Sequence, residues 1–174
     1  MISIPNDKVV SKGRLGPGQI IAVNLDQGKL FNNKSIKDHI SKDYKKYNKQ
    51  IVDLDKKFAL GYGGLGLSHA NLGNNKLAKD YASKCASRGK KDPEALSLSA
   101  QVWITMRDSE KKWFKRAEDY LEKALKRDKE HEGAQYWFGV AHLYNYQFDQ
   151  AESYFRKVVN KRGDYAGKAD SKWK

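Results

Sequence analysis

The chain has 174 residues, of which 34 are Lys or Arg and 21 are Asp or Glu, so its formal net charge is +13. Hydrophobic residues make up 39% and charged residues 32% of the chain. This balance argues against a thick multilayer fold and favours a thin stack of helices. No apolar run approaches the roughly 18 residues that a membrane-spanning helix needs, so no membrane span is expected.

Residues that could carry chemistry are few and scattered. Cys85 is the only cysteine, which excludes an intramolecular disulfide and a site of several thiolates. The four histidines lie far apart in the sequence, and no cluster has metal-ligand spacing. We therefore predict no catalytic residue, no metal site and no cofactor, and we expect a non-enzymatic chain. If Met1 is the true start, the lack of a signal-peptide pattern predicts the cytoplasm.

The first 34 residues are predicted to hold a β-hairpin. Residues 20–25 are rich in β-branched side chains and follow the turn-forming residues 16–18. Residues 26–28 form a short turn, and residues 29–31 return as a second strand. Residues 1–34 are thus expected to be an extension with its own hairpin.

A linking helix is expected over residues 35–58. Ser35 is predicted to cap it, with Asp38 three positions on, and the helix should run to about Asp55. Apolar residues recur at steps of three or four and form one stripe along this helix. The stripe consists of Ile36, Ile40, Tyr44, Tyr47, Ile51 and Leu54.

From residue 59 onward the sequence is helical in pattern and repeats. Small residues recur at equivalent places in three predicted first helices and in three second helices. The first set is Gly66, Ala100 and Gly139, and the second set is Ala78, Ala117 and Ala151. The steps are 34 and 39 residues in the first set, and 39 and 34 in the second. The period is therefore 34 residues, with five extra residues in the loop 106–112.

Small residues at these places let the two antiparallel helices of a repeat pack closely. With this period and these small residues, residues 59–165 resemble the tetratricopeptide-repeat family. The resemblance implies about three helical hairpins and mainly α structure. Two departures are visible: Pro93 is displaced from the end of its repeat, and the glycines in residues 61–66 weaken the first helix by about 0.8–1 kcal/mol each relative to Ala. Gly73 is expected to adopt the left-handed conformation that ends a helix.

The resemblance also implies a concave groove, lined by the first helices, that binds a protein or peptide partner. None of the groove positions implied by the family is Lys or Arg, so we expect an apolar or aromatic segment and not an acidic carboxyl-terminal tail. Whether an external partner or the stripe of the linking helix fills the groove stays open. The candidate partner-binding residues are Leu67, Asn71, Gln101, Tyr136, Val140 and Tyr144.

A second resemblance covers residues 2–55. The strings Lys12-Gly13-Arg14-Leu15-Gly16-Pro17-Gly18 and Ile21-Ala22-Val23-Asn24-Leu25-Asp26-Gln27-Gly28-Lys29-Leu30-Phe31 look like the large subunit of bacterial glutamate synthase. In that family such a segment closes the glutaminase domain, whose nucleophile is an amino-terminal Cys. Here the chain starts at Met1, and Cys85 lies in a predicted repeat helix. The resemblance therefore implies a fragment without the glutaminase nucleophile.

Three hypotheses follow. The leading one is a non-catalytic protein-interaction module of tetratricopeptide type. The second is an inactive glutamate synthase fragment fused to a repeat array. The third is a Lys-rich protein that binds anions or nucleic acid; nucleic acid is disfavoured because only seven of the 34 basic residues are Arg.

Two features remain. The G-x-G-x-x-G match at residues 61–66 lacks a preceding strand and a following acidic residue, so a dinucleotide site is not expected. Residues 166–174 are expected to be a tail or a truncated capping helix, which leaves self-association open.

Overall fold

The computed structural model describes residues 21–26 and 28–173. Within these residues the protein is mainly helical, with eight α-helices and one two-stranded antiparallel sheet. The chain divides into two compact units, residues 1–40 and 41–174. The predicted turn at residues 16–18 lies outside the described residues.

The amino-terminal unit contains the predicted hairpin. Strand β1 (Ala22–Asn24) pairs antiparallel with strand β2 (Lys29–Phe31), and Ala22 lies opposite Phe31. Gly28 has φ +59° in the turn, a conformation that glycine adopts without steric cost. Strand β1 is shorter than the predicted strand, whose first residue lies outside the described part. The Phe31 ring packs on His39, with centroids 5.0 Å apart.

Helix α1 (Asn33–Leu54) begins two residues earlier than predicted. Its cap is Asn32 and not Ser35. The Ser35 N–H donates to Asn32 Oδ1, and the Asn32 N–H donates to Ser35 Oγ, each at 2.8 Å. This reciprocal pair is a capping box in which Ser35 takes the position three residues inside, because the Asn32 side chain reaches that free N–H.

The part of α1 that belongs to the second unit turns its apolar stripe outward. Tyr44 is 61% exposed and Leu54 is 89% exposed. Asn48 lies against Gly64, and Val52 and the stripe residue Ile51 lie against Gly61. Tyr44 and Leu54 therefore face solvent, whereas Ile51 contacts α2.

Seven further helices follow. Their bounds are α2 (Ala59–Asn71), α3 (Asn75–Arg88), α4 (Pro93–Thr105), α5 (Trp113–Arg127), α6 (Glu132–Tyr144), α7 (Phe148–Lys161) and α8 (Ala166–Trp173). Helix α2 packs mainly on α3, α4 on α5 and α6 on α7, while α2, α4 and α6 lie side by side. The longer loop at residues 106–112 separates α4 from α5, as the spacing predicts.

Small residues set the distance between paired helices. Ala78, Ala117 and Ala151 are each 0% exposed. A Cβ added at Gly139 would lie 2.6 Å from the Phe155 ring, which is itself buried. A larger side chain at such positions would push the helices apart and lose packing on both sides.

Two histidines are part of the core. His69 stacks on Tyr81 at 5.5 Å, and His142 stacks on Phe138 at 5.0 Å. His142 Nδ1 lies 2.8 Å from Gln147 Oε1, whereas His69 Nδ1 is buried with no hydrogen-bond partner. Burial, followed by the nearby charge of Lys45, lowers the pKa of His69. Both positions therefore serve packing.

Replacing Tyr146 by Gly should stabilise the protein by about 1 kcal/mol. Tyr146 has φ 60° in the turn between α6 and α7, where Gly73 has φ 76° in the turn between α2 and α3. A side chain in the left-handed region costs about 1–2 kcal/mol, which glycine avoids. Urea unfolding measures the change. Tyr146→Ala keeps the strained conformation but removes the ring, so it should not show the gain; equal gains in both variants would contradict the strain argument.

The stability of the protein should fall as the pH drops below 6.5, and His69→Phe should weaken this dependence. Because the folded-state pKa of His69 lies below its unfolded value, the unfolded chain binds more protons there. Stability is thus present above pH 6.5 and is lost as pH falls. Urea unfolding at pH 7.5, 6.5 and 5.5 measures the slope. His39→Gln, at an exposed position, is the control; a slope unchanged by His69→Phe would refute the assignment.

Candidate functional site

The candidate groove residues do not all reach the surface. Asn71 is exposed, and Leu67, Gln101 and Tyr144 are half-buried. These four lie on α2, α4 and α6, which run side by side. We refer to these four accessible residues as the row.

Tyr136 and Val140 are buried, with 6% and 2% exposure. The Tyr136 ring lies 5.1 Å from Tyr165 and 6.1 Å from Phe155. The equivalent position on α2 is Gly63, where an added Cβ would collide with Leu98 of α4. Tyr136 and Gly63 thus face the element that follows in the chain. Their position is therefore less accessible to a partner than the groove hypothesis assumes.

Two cations lie beside Tyr144. The Arg107 guanidinium is 4.2 Å from the centre of the Tyr144 ring, and Lys172 Nζ is 5.8 Å from it. Arg107 comes from the loop after α4, and Lys172 comes from α8. Sequence reasoning missed both because it considered first-helix positions only. The ring and its two cations form the most polar end of the accessible row.

The starts of successive first helices are linked by acidic side chains. Glu94 Oε2 lies 3.2 Å from His131 Nε2, and Glu132 Oε1 accepts the Tyr165 N–H at 2.8 Å. His131 Nδ1 accepts the Ala134 N–H at 3.0 Å, so the ring proton sits on Nε2 and is donated to Glu94. These links hold α4, α6 and the segment before α8 in register, which positions the row.

Cys85 is a core residue. It is 0% exposed, and its thiol donates to the Ala95 carbonyl oxygen at 3.3 Å. Burial raises the pKa of the Cys85 thiol, which disfavours the reactive thiolate. The glycines at residues 61–66 lie inside α2, so they form no phosphate-binding loop.

Residues 21–26 and 28–173 contain neither a metal-ligand cluster nor a membrane-spanning helix. Within them, no group of three His, Cys, Asp or Glu side chains has the arrangement of a metal site. No helix in that part of the chain has the length and apolar composition needed to cross a membrane.

Comparison with known proteins assigns a relationship to the amino-terminal part. The profile of the class-II glutamine amidotransferases matches residues 1–50. The large chain of NADPH-dependent glutamate synthase from Azospirillum brasilense is 42% identical over 57 residues, which are 32% of this chain. The chain spans only 4% of the length of that relative. The resemblance of residues 2–55 to glutamate synthase is thereby confirmed.

The prediction of a non-enzymatic chain is wrong on this finding. The matched profile describes an enzyme family, so residues 1–50 are related to an enzyme. The prediction failed because it rested on the absence of a catalytic group of residues within the chain. The relationship to an enzyme family is instead visible in the residue-by-residue similarity of the amino-terminal segment. The family match ends at residue 50, so the tetratricopeptide resemblance of residues 59–165 rests on helix spacing alone.

Proposed function

We propose that the chain joins a segment of glutamate synthase type to a tetratricopeptide-like array that binds a partner protein. In this proposal residues 1–34 are the amidotransferase-related extension and residues 35–58 the linking helix. Residues 59–165 are three repeats, and residues 166–174 are the cap of the array. The observation that carries the binding function is the accessible row on α2, α4 and α6.

The dimensions of this row suit an extended peptide. Packed helices have axes 8–10 Å apart, so three neighbouring helices span roughly 20 Å between the outer axes. An extended chain rises about 3.3 Å per residue, so about six residues of a partner would cross the row. Asn71, Thr105 and Tyr144 are separated by 34 and 39 residues, the steps of the repeat, and all three are accessible. A partner could therefore contact each helix in turn.

The side chains of the row favour a mainly uncharged partner. Leu67 on α2 and Gln101 on α4 provide apolar and neutral contacts, and Arg107 and Lys172 add positive charge at the Tyr144 end. A clamp for an acidic tail would need cations along the row itself. We therefore assign an apolar or aromatic segment as the partner. Tyr144 is the expected anchor, because aromatic rings at accessible sites often dominate binding.

Replacing Tyr144 by Ala should weaken peptide binding at least tenfold. The probe is a set of fluorescent 12-residue peptides selected against the full chain from a random library, with affinity measured by anisotropy. A tenfold loss corresponds to about 1.4 kcal/mol, within the usual range for an aromatic anchor. Phe148→Ala is the matched control, because Phe148 is 56% exposed but lies outside the row. Selected peptides that are mostly acidic, or that bind the Tyr144 variant unchanged, would overturn the proposal.

A further inference from the structure

We propose that a cationic cavity between α3 and α5 binds a small organic phosphate of nucleotide size. The cavity has a volume of about 630 Å³, within the range of pockets that enclose ligands of this size. Its cationic lining residues are Lys90, in the connection that follows α3, and Lys123, Lys126 and Arg127 on α5. The site is separate from the row on α2, α4 and α6 and does not depend on the function proposed for that row.

The positive charge of the cavity is not compensated by the protein. No carboxylate lines it. Among the described residues, Lys90, Lys126 and Arg127 have no ion pair, and Lys123 Nζ makes only a contact with the Tyr120 ring at 5.7 Å. By contrast, Lys115 on the same helix pairs with Glu118 and Asp119. Several uncompensated cations around one concavity attract an anion, because the bound charge relieves their mutual repulsion.

The position between α5 and α7 corresponds to the cavity between α3 and α5. It shows which residues are present where a carboxylate compensates the positive charge. Glu122 stands 39 residues after Ser83, so a carboxylate replaces the hydroxyl. Burial, then Glu122 and Glu118, raises the pKa of Tyr154, which places these carboxylates near that ring. Tyr154 itself stands 34 residues after Tyr120. The cavity between α3 and α5 therefore has Ser83 where the corresponding place has the carboxylate of Glu122.

Arg127 differs in the same way from its counterparts. Arg88 Nε donates to the Lys56 carbonyl oxygen at 2.7 Å, and Lys161 Nζ donates to the Glu130 carbonyl oxygen at 2.6 Å. Lys161 also pairs with the Glu130 carboxylate at 2.8 Å. Arg127 ends α5, as Arg88 ends α3 and Lys161 ends α7. Within the described residues the Arg127 side chain donates no hydrogen bond. Its guanidinium is thus available for the bidentate contact that phosphate accepts.

The remaining lining favours an organic phosphate over a bare ion. The Tyr120 ring, Leu96 and Ala86 form an apolar wall against which a planar base can pack. Ser83 adds a hydroxyl beside the cations. This combination of a cationic end and an aromatic wall matches a nucleotide.

A longer polyanion running along α3 and α5 is the rival ligand. One turn from this cavity lies a second one, which includes Lys79 and Arg116 among its lining residues. There Lys79 pairs with Glu110 at 2.9 Å, so part of the charge is already compensated. Lys111 and Lys112 also line the second cavity, so both cavities are cationic, but Glu110 lines only the second. The absence of a carboxylate from the lining of the first cavity, together with its aromatic wall, favours a small ligand there over a strand that would also pass Glu110.

The test is calorimetric titration of the full chain with ATP, adenosine, tripolyphosphate and a 12-residue oligothymidylate. We expect ATP to bind at least tenfold more tightly than adenosine and than tripolyphosphate, because both the phosphates and the base contribute. The Lys126→Gln, Arg127→Gln double variant should lose at least tenfold in ATP affinity. Lys157→Gln is the matched control, because Lys157 lies over Tyr154 at 5.0 Å and stands 34 residues after Lys123.

Three results would overturn the proposal. Equal losses in the double variant and in Lys157→Gln would indicate diffuse surface charge. Binding of tripolyphosphate as tight as that of ATP would remove the base contact. Oligothymidylate binding at least tenfold tighter than ATP would indicate a strand along the helices. Circular dichroism and urea unfolding establish that the double variant is folded, and a Lys90→Gln variant provides an independent measurement should it fail to fold.

Discussion

The close approach of paired helices is the constraint on which the rest of the second unit depends. Ala82, Ala117 and Ala124 are each 0% exposed, so the backbones of paired helices approach closely, with only the methyl groups of these residues between them. Gly89 extends the same constraint to a helix end, since a Cβ there would collide with Ala95 at the start of α4. Because the helices are held this tightly, their outward faces keep fixed relative positions, and both the row and the cationic cavity are built on those faces.

Helix existence and pairing could be predicted because they depend on spacing. The steps of 34 and 39 residues located α2–α7 and the longer loop at residues 106–112. Spacing does not reveal which face of a helix meets the next element. Tyr136 was therefore placed in the groove, although Tyr165 covers it. The stripe of α1 shows the same limit: its period is visible in the sequence, but its exposure is not, because Asn48 and Val52 contact α2 and Ile51 is the stripe residue that joins them.

In the amino-terminal part, residue identity is more informative than packing. Its hairpin buries little, with Val23 58% and Leu30 67% exposed. A two-stranded hairpin is marginal by itself, so packing says little about its origin. The string of residues nevertheless carries a relationship to class-II glutamine amidotransferases, which the profile match extends over residues 1–50. The spacing of small and apolar residues predicted the helical part, whereas residue identity revealed the relatives of the amino-terminal extension.

Because the helix pairs of this chain are similar, the charges at equivalent positions can be compared from one pair to the next. A net charge of +13 alone would suggest a uniformly basic surface. Yet the end of α7 pairs Lys161 with Glu130, whereas Arg127 at the end of α5 has no such partner among the described residues. The two helix ends stand 34 residues apart and share their place in the fold, so the backbone does not account for the difference. Side chains alone distinguish them, so the unpaired charge at the end of α5 is a property of that position and not of the repeated fold.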